Sequence, residues 1–530
     1  MILPVHSRLS TADQAKMFAK PSPGIRKIVL ATNVAETSIT IPDVVYVVDT
    51  GAHKENRIRE GTGTASLETV WVSLAGAKQR TGRAGRVQAG HCYRMYTKEK
   101  EADFVPHTTP EILRIPLVQT VLECKSYAPD EKIASFLSEL PEPPSEKSIK
   151  FAVNDLIELG ALTPLEQLTR LGGLLSSLTL HPRLGRSLLH SAIVGNVVAA
   201  SNMAAHCSSN TEVFANAADR RDEIREIKRK YSPTSDYAAL YLIQEEFEGS
   251  AQAGGRTSSD KFCEKYGLRG DRLGFIRSLS NLHLEQLLKS SMILPTTEAE
   301  ELNQFSDIEE LMCGVLLSGA DALLTTRRMV KTKGKLKTVV DVVTSTNERA
   351  FISSESVNSP TEPRSNTSLI RFVTGDRAHI GNESVNKGIS KRNTKPSLLC
   401  YFGGHHSADR RALVVYKTCL VPPHAPLLFC SGDVHKEEDG ENTTLTLSKH
   451  RLRINVPTSQ AEQILKVREM LWNTLSYYIE RDTKTLAFAD YDKVNTFKVR
   501  LIKTIGRILV EAQKEVGEEK SKKIGIQVFR

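Results

Sequence analysis

The chain has 530 residues, with 71 Lys plus Arg against 62 Asp plus Glu for a formal charge of +9, and 40% hydrophobic residues. That length holds several domains with sizeable cores, and 32 Gly with 22 Pro exclude a collagen-like or wholly disordered chain. Eight cysteines with no CxxC pair exclude paired zinc-ligand spacing and a disulfide scaffold, and fit a reducing compartment.

Charge is uneven along the chain. Residues 1–100 carry 15 basic and 8 acidic side chains, and residues 321–400 carry 14 and 7. Two basic blocks suit a polyanion touched at two places, or simply a solvated surface.

From Ile25, IRKIVLATN and then DVVYVVDTG are continuous β-branched runs, expected as strands buried on both faces of a parallel sheet. VAETSITIP between them leaves no room for a long helix. Residues 52–75 predict a hairpin, QRTGRAGR follows, and HCYRMYT predicts another strand with Cys92 buried in it. EILRIPLVQTVLECK is helical in pattern, with Pro116 either kinking it or opening its second part. After the Pro-rich joint ELPEPPSEK, IKFAVNDLIELG predicts a helix with Phe151, Leu156 and Leu159 near one face, stopping at Gly160. With the hairpin ALTPLEQLTRLG these pieces suggest a winged helix.

Residues 171–310 predict a helical bundle broken by a Gly/Ser loop near 249–260. Between Arg186 and Glu212 no Asp, Glu, Lys or Arg intervenes, but His190, Asn196, Asn202 and His206 make a buried helix pair a better reading than a membrane span. Beyond Leu311, TKGKLKTVVDVVTST, LLCYFGG, ALVVYKTCLV and APLLFCSG predict strands of a small barrel, with 353–397 as a mobile loop. Arg327, Arg328, Lys331, Lys333, Lys335 and Lys337 suggest a basic loop. Ser459 and Glu462 suggest a capping box opening a helix with Ile464, Val467, Leu471 and Leu475 on one face. Trp71 and Trp472 are expected in cores. His405-His406 lacks further ligands at metal spacing, and no metal site is expected.

The segment Gln79–Arg86, QRTGRAGR, carries the strongest chemistry. Gln79, Arg83 and Arg86 stand at i, i+4 and i+7, so on a continuous helix they share a face. Two aligned arginines suit a triphosphate, donating charge-assisted hydrogen bonds to oxygens that gain charge in phosphoryl transfer, while a Gln amide can hold a water. An exposed, salt-bridged basic helix is the alternative on spacing alone. The polar run ATNVAETSITIPD lies between two predicted strands, at a sheet edge where ligands bind in open α/β folds. An ordinary polar loop is the alternative there.

Together these segments resemble motifs VI and V of the DEAH/RNA helicase A group of superfamily 2 helicases. PVHSRLSTADQAKMF resembles the stretch after motif IV, LTRLGGLLSSLTLHPRLGRSLLHSAIVGN the start of that group's helical domain, and SESVN with LLCYF and APLLFCSGD its oligonucleotide-binding fold. The resemblance runs over roughly residues 1–450. It implies a second RecA-like lobe (1–110), a winged helix (111–170), a ratchet-like helical bundle (171–310), an OB-like fold (311–450) and a helical extension (451–530). By the same resemblance Arg83 and Arg86 would be arginine fingers and Gln79 would position the hydrolytic water. Ser38 and Thr40 would face the nucleotide and Phe18 would stack near its base, or else pack in a core. Ser7, Arg8, Thr32 and Asn33 would meet the RNA backbone, and Glu55–Val72 would be the strand-separating hairpin.

The implied activity is ATP-dependent 3′–5′ movement on single-stranded RNA in cytoplasm or nucleus, with ATP and Mg²⁺, ribonucleoprotein partners and no membrane. No G-x-x-x-x-G-K-[ST] and no DEAH-like acidic box occurs in the 530 residues. The first RecA-like lobe is therefore expected to be missing, through truncation, and ATP turnover by this chain negligible. A non-catalytic RNA-binding or docking protein descended from a helicase is the rival reading, and a DNA helicase a third.

Overall fold

The computed structural model describes residues 1–5, 18–37, 41, 43–58, 65–84, 88–209, 211–217, 219–290, 292–293, 297–320, 323–331, 337–344, 377–389, 397–407, 412–447, 452–480, 488–517 and 525–528. The chain divides into two units, the first made of residues 1–59, 64–116 and 140–145 and the second of the remainder.

In the first unit, β1 (Ile2–Val5) pairs in parallel with β2 (Ile28–Ala31) in the register Ile2 to Ile28 and Val5 to Ala31. A four-residue helix α1 (Val34–Thr37) follows, as the short connection required. β3 (Tyr46–Asp49) leads into the antiparallel hairpin of β4 (Ala52–Ile58) and β5 (Ala65–Trp71), Ala52 opposite Trp71. Helix α2 (Leu74–Thr81) comes next, and β6 (His91–Arg94) returns to pair in parallel with β3. A short helix α3 (Lys98–Ala102) closes the run.

The strands were expected to be buried on both faces, and they are not. Val5 and Ile41 form a small core with Val29 and Val44. The alternate side chains Ile28, Leu30, Tyr46, Val48 and Tyr93 are exposed. With period-two alternation, cover on one face leaves the other set of apolar residues in solvent. Trp71 is also half open rather than a core residue, at 47% exposure, lying on Phe104 and edge-on to Tyr96. Cys92 is half-buried.

The second unit begins with α4 (Val118–Tyr127), α5 (Ile133–Ser138) and α6 (Glu146–Leu159). Pro116 kinks no helix: it lies between a 3₁₀ turn at Glu111–Leu113 and α4, whose N-cap is Leu117. Gly160 ends α6 at φ +81°, and Leu162 bridges Leu168 in the following hairpin. Helix α7 (Arg170–Ser176) is followed by the pair α8 (Pro182–Val194) and α9 (Val197–Ser208). α8 is buried on every side, as its uncharged apolar run after Arg186 requires. Gly195 turns the chain between the two at φ +79°. No helix among the described residues is long and apolar enough to cross a membrane.

α10 (Arg221–Tyr231), α11 (Asp236–Tyr266), α12 (Gly270–Lys289), α13 (Ala299–Asn303) and α14 (Glu309–Gly319) complete the helical part. The expected Gly/Ser loop near 249–260 is instead a kink inside α11, where only Gly254 and Gly255 leave helical geometry. The neighbouring Ser and Ala residues tolerate the helix, so two glycines suffice for the bend.

Then come β7 (Leu323–Lys331), β8 (Lys337–Thr344), β9 (Arg377–Ile380), β10 (Leu398–Cys400), β11 (His405–Ser407), β12 (Ala412–Val415) and β13 (Cys419–Leu420). Within this unit they lie in the order β13-β10-β7-β8-β9-β12-β11, antiparallel except for β9 with β12. Arg327, Arg328 and Lys331 therefore sit on a paired strand and Lys337 opens the next, rather than forming one basic loop, while Lys333 and Lys335 lie outside the described residues. Of the predicted loop 353–397, residues 353–376 and 390–396 lie outside the described residues, as does SESVN at 354–358. The described part contains β9 and the buried side chains Ser384 and Asn386.

APLLFCSG forms no strand but the buried helix α15 (Ala425–Phe429), with Pro426 in its first turn. Gly314 of α14 admits the Phe429 ring, which would lie 2.5 Å from a Cβ there. β14 (Val434–Asp439), β15 (Asn442–Leu447) and β16 (Leu452–Pro457) form an antiparallel sheet. α16 (Thr458–Glu480) buries Ile464, Val467, Leu471 and Leu475 as expected, although it already begins at Thr458, so Ser459 lies inside it and is not its cap. α17 (Phe488–Gly517) follows, and β17 (Gly525–Val528) pairs with β16. Trp472 of α16 is part-buried, its indole N–H bonded to Leu428 O at 3.0 Å and its ring flanked by Arg186 and Arg468.

Candidate functional site

The site builds on the two segments singled out by their chemistry, both in the first unit. Helix α2 starts cleanly: Ser73 Oγ accepts from Gly76 N at 3.1 Å, the N-cap bond that its residue type favours. Its end differs from expectation. Gly82 is the C-cap, and beyond it Arg83 N bonds to Arg80 O and Ala84 N to Thr81 O, the tighter i to i+3 pattern. The helix expected to carry Gln79, Arg83 and Arg86 on one face thus stops before Arg83. Glycine at 82 contributes little helix propensity, so the last turn tightens there. Gly90 fixes the return, since a Cβ would lie 2.2 Å from Ala84 O and 2.5 Å from Val45 O.

Arg80, which spacing did not single out, holds the site together. Its Nε donates to Glu36 Oε2 at 2.9 Å and its NH1 to Asp49 Oδ1 at 2.8 Å, with Ala52 O at 3.3 Å. Asp49 ends β3 and is 3% exposed, and it also accepts from Gly51 N at 2.9 Å. Burial alone would lower the Arg80 pKa, but the hydrogen bonds and charges of Asp49 and Glu36 outweigh it and hold the guanidinium above its ordinary value. Burial and the Asp49 carboxylate push Tyr96 up to about 12, so its hydroxyl, 3.4 Å from Asp49 Oδ2, stays protonated. Gly76 lets Glu36 approach α2, its missing Cβ lying 3.3 Å from Glu36 Oε1.

Arg83 donates through NH2 to the backbone carbonyl of Glu36. One residue of the ATNVAETSITIPD segment therefore anchors two arginines of QRTGRAGR, Arg80 by its side chain and Arg83 by its main chain. Gln79 is exposed on α2. Thr32 is exposed and donates its N–H to Val5 O at 3.1 Å, and Asn33 is exposed at the start of α1. Phe18 lies in a turn at 47% exposure, so it does not pack in a core. Ser7, Arg8, Ser38, Thr40 and Arg86 lie outside the described residues. Beside this knot a polar cleft of about 350 Å³ opens between Asn33, the strand β4, Ser73, Thr108 and Arg114.

Among the described residues no group of three or more His, Cys, Asp or Glu side chains could hold a metal ion.

Residues 1–88 match the family described as "Helicase conserved C-terminal domain". Over 493 residues, 92% of this chain, the sequence is 31% identical to ATP-dependent RNA helicase DHX30 of Homo sapiens, covering 38% of that protein. Over 494 residues it is 34% identical to ATP-dependent DNA/RNA helicase DHX36 of Bos taurus, covering 92% of this chain and 45% of that protein. A 298-residue stretch is 38% identical to ATP-dependent RNA helicase DHX29 of Mus musculus, covering 55% of this chain and 21% of the relative. The chain thus spans less than half the length of these curated relatives, and it resembles the C-terminal portion of DEAH/RNA helicase A-type superfamily 2 helicases.

Proposed function

We propose that this chain is the C-terminal part of an ATP-dependent RNA helicase of the DEAH/RNA helicase A type, its first unit forming the arginine-bearing side of the nucleotide cleft and part of the RNA track. The observation that carries this reading is the Arg80 knot. Glu36 ties ATNVAETSITIPD to QRTGRAGR through its carboxylate on Arg80 and its carbonyl on Arg83, while Asp49 at the end of β3 holds the other side of Arg80, so that a change at either segment must be felt at the other.

Nucleotide held by a facing lobe would draw Arg83 from the Glu36 carbonyl to the γ-phosphate, where its charge-assisted hydrogen bonds strengthen as the transferring group gains charge. Arg86 would join it, and the exposed Gln79 amide would hold the attacking water. Ser38 and Thr40 would face the nucleotide and Phe18 would stack by its base. Ser7, Arg8, Thr32 and Asn33 would grip the RNA backbone. The shift at Glu36 would pass along the same segment to Asn33, turning hydrolysis into movement along the strand.

The finer layout is proposed with it: a RecA-like lobe at 1–110, a winged helix at 111–170, a ratchet-like bundle at 171–310, an OB-like fold at 311–450 and a helical extension at 451–530. Helices α4 to α6 with the Leu162–Leu168 hairpin support the winged helix, and the mostly antiparallel sheet of β7 to β13 supports the OB-like fold. Free cysteines suit a reducing compartment, cytoplasm or nucleus.

The test is binding of the purified chain to labelled single-stranded RNA and to DNA of the same sequence. Salt-dependent RNA binding, tighter than DNA binding, is expected; no RNA binding at low salt would overturn the reading.

A further inference from the structure

Two thiols of the second unit meet where its helices join the sheet of β7 to β13. Cys313 lies on α14 and Cys419 opens β13, 106 positions further along the chain. Cys313 Sγ donates to Leu420 O at 3.4 Å, and Cys419 Sγ donates to the same oxygen at 3.6 Å. A hydrogen bond with the Cys419 thiol, together with burial, holds the Cys313 thiol well above its ordinary value. Both residues are buried, yet both line a cavity of about 220 Å³ that they share with Thr234, Glu309 and Gln513. A cavity of that size has room for an oxidant as small as a peroxide.

Cys400 is the rival partner, since it stands opposite Cys419 across β10 and β13. Val421 N donates to Leu398 O at 2.9 Å, which makes Leu398 and Val421 a hydrogen-bonded pair and Cys400 with Cys419 the next such pair along the ladder. Side chains of hydrogen-bonded pairs stand farther apart than those of the pairs between them. Cys313 reaches Cys419 from outside the sheet and is free of that spacing. The loop before α11 sits beside the two thiols and touches both elements. Thr234 O accepts from Leu420 N at 2.8 Å, and Ser232 Oγ donates to Glu309 Oε1 of α14 at 2.7 Å.

We propose that Cys313 and Cys419 are a peroxide-sensitive thiol pair whose disulfide staples α14 to β13. In the first step one sulfur attacks a peroxide oxygen: the S–O bond forms, the O–O bond breaks, and the other oxygen leaves with the thiol proton as water. The second sulfur then attacks the sulfenic sulfur. The S–S bond forms, the S–O bond breaks, and the hydroxyl leaves with the second thiol proton as water. The two thiols lose two electrons and the peroxide is reduced to two waters. Burial keeps the thiolate scarce, so the reaction is slow and needs peroxide in excess. A thiol reductant reverses it, as befits a disulfide that senses oxidant inside a reducing compartment.

The experiment treats the native chain with hydrogen peroxide, raised until the half-buried Cys92 is oxidised, then alkylates, digests and maps it by mass spectrometry. The expected result is a peptide pair linked through Cys313 and Cys419 that dithiothreitol separates. The melting temperature of the oxidised chain should rise by roughly 5 °C, because the link closes a long loop. Cys313→Ser should abolish both the linked peptides and the rise, and Cys92→Ser should keep both. Cys313 and Cys419 still alkylated as thiols once Cys92 is oxidised would overturn the proposal, as would a link between Cys400 and Cys419. Linkage without a rise in melting temperature would overturn the staple. These readings come from the wild-type chain, so they decide the matter even where Cys313→Ser fails to fold, and they do not depend on whether the chain binds RNA.

Discussion

Arg80 shows how a side chain can matter more for holding a site than for acting in it. Asp49 is a buried charge whose ion-pair partner is Arg80, and removing one member of such a pair leaves the other unpaired. Arg80→Ala should therefore destabilise the first unit by about 3–5 kcal/mol, read by chemical denaturation, whereas Gln79→Ala on the exposed face should change stability by less than about 0.5 kcal/mol. Equal stability of the two variants would show that the knot is not structural. The sequence made Gln79, Arg83 and Arg86 visible because they recur at helical spacing. Arg80 was hidden because its partners lie 44 and 31 residues away, and only the fold brings them together. Arg83 was found by its spacing, but its place beyond the helix end was not, since Gly82 tightens the last turn.

Elements followed their local signals where one force dominated. The hairpin of β4 and β5, the glycine stop after α6 and the buried face of α16 were legible from alternation, a glycine and helical period in turn, although the cap expected for α16 at Ser459 was misplaced. APLLFCSG misled because a short apolar run buried on all sides looks alike as strand or helix. The segment Ser384–Val385–Asn386 went unnoticed beside an earlier Ser-Val-Asn at 356–358, yet it joins β9 to the helices. Asp236, the first residue of α11, accepts from Lys228 Nζ at 2.9 Å, Ser384 Oγ at 2.5 Å, Val385 N at 3.1 Å and Thr418 N at 2.9 Å. Asn386 Nδ2 bonds Thr234 O at 2.9 Å and Thr418 Oγ1 at 3.0 Å. Asp236→Asn keeps the shape but strips Lys228 of its counter-charge, and should lower the melting temperature more than Ser384→Ala, which removes one donor. The opposite ranking, by calorimetry, would place the weight on the hydroxyl rather than the charge.

Across the whole molecule the buried histidines predict how it responds to acid. Burial lowers His424 to about 4, and lowers His190 and His206 well below the ordinary value with help from Arg186, and from Lys417 and Lys228. A histidine whose folded pKa is depressed contributes stability above its unfolded value, near 6.5, that is lost as pH falls toward the folded one. For His424 the full effect is about 3 kcal/mol. Melting temperature should fall between pH 7 and pH 5, and His424→Gln, which cannot be protonated, should flatten that fall; an unchanged profile would remove His424 as a cause. The charge pattern was legible in the same way. The +7 block at residues 1–100 contains Lys54, although the cleft it helps to form could not be read without Arg114.

The proposed function has this chain supply arginines and an RNA surface to an ATPase, and no G-x-x-x-x-G-K-[ST] phosphate cradle occurs in its 530 residues. ATP turnover by the purified chain, with and without single-stranded RNA, tests that most directly. The predicted result is no hydrolysis above buffer under conditions where the RNA is bound. RNA-stimulated hydrolysis that disappears in Arg83→Ala would contradict it.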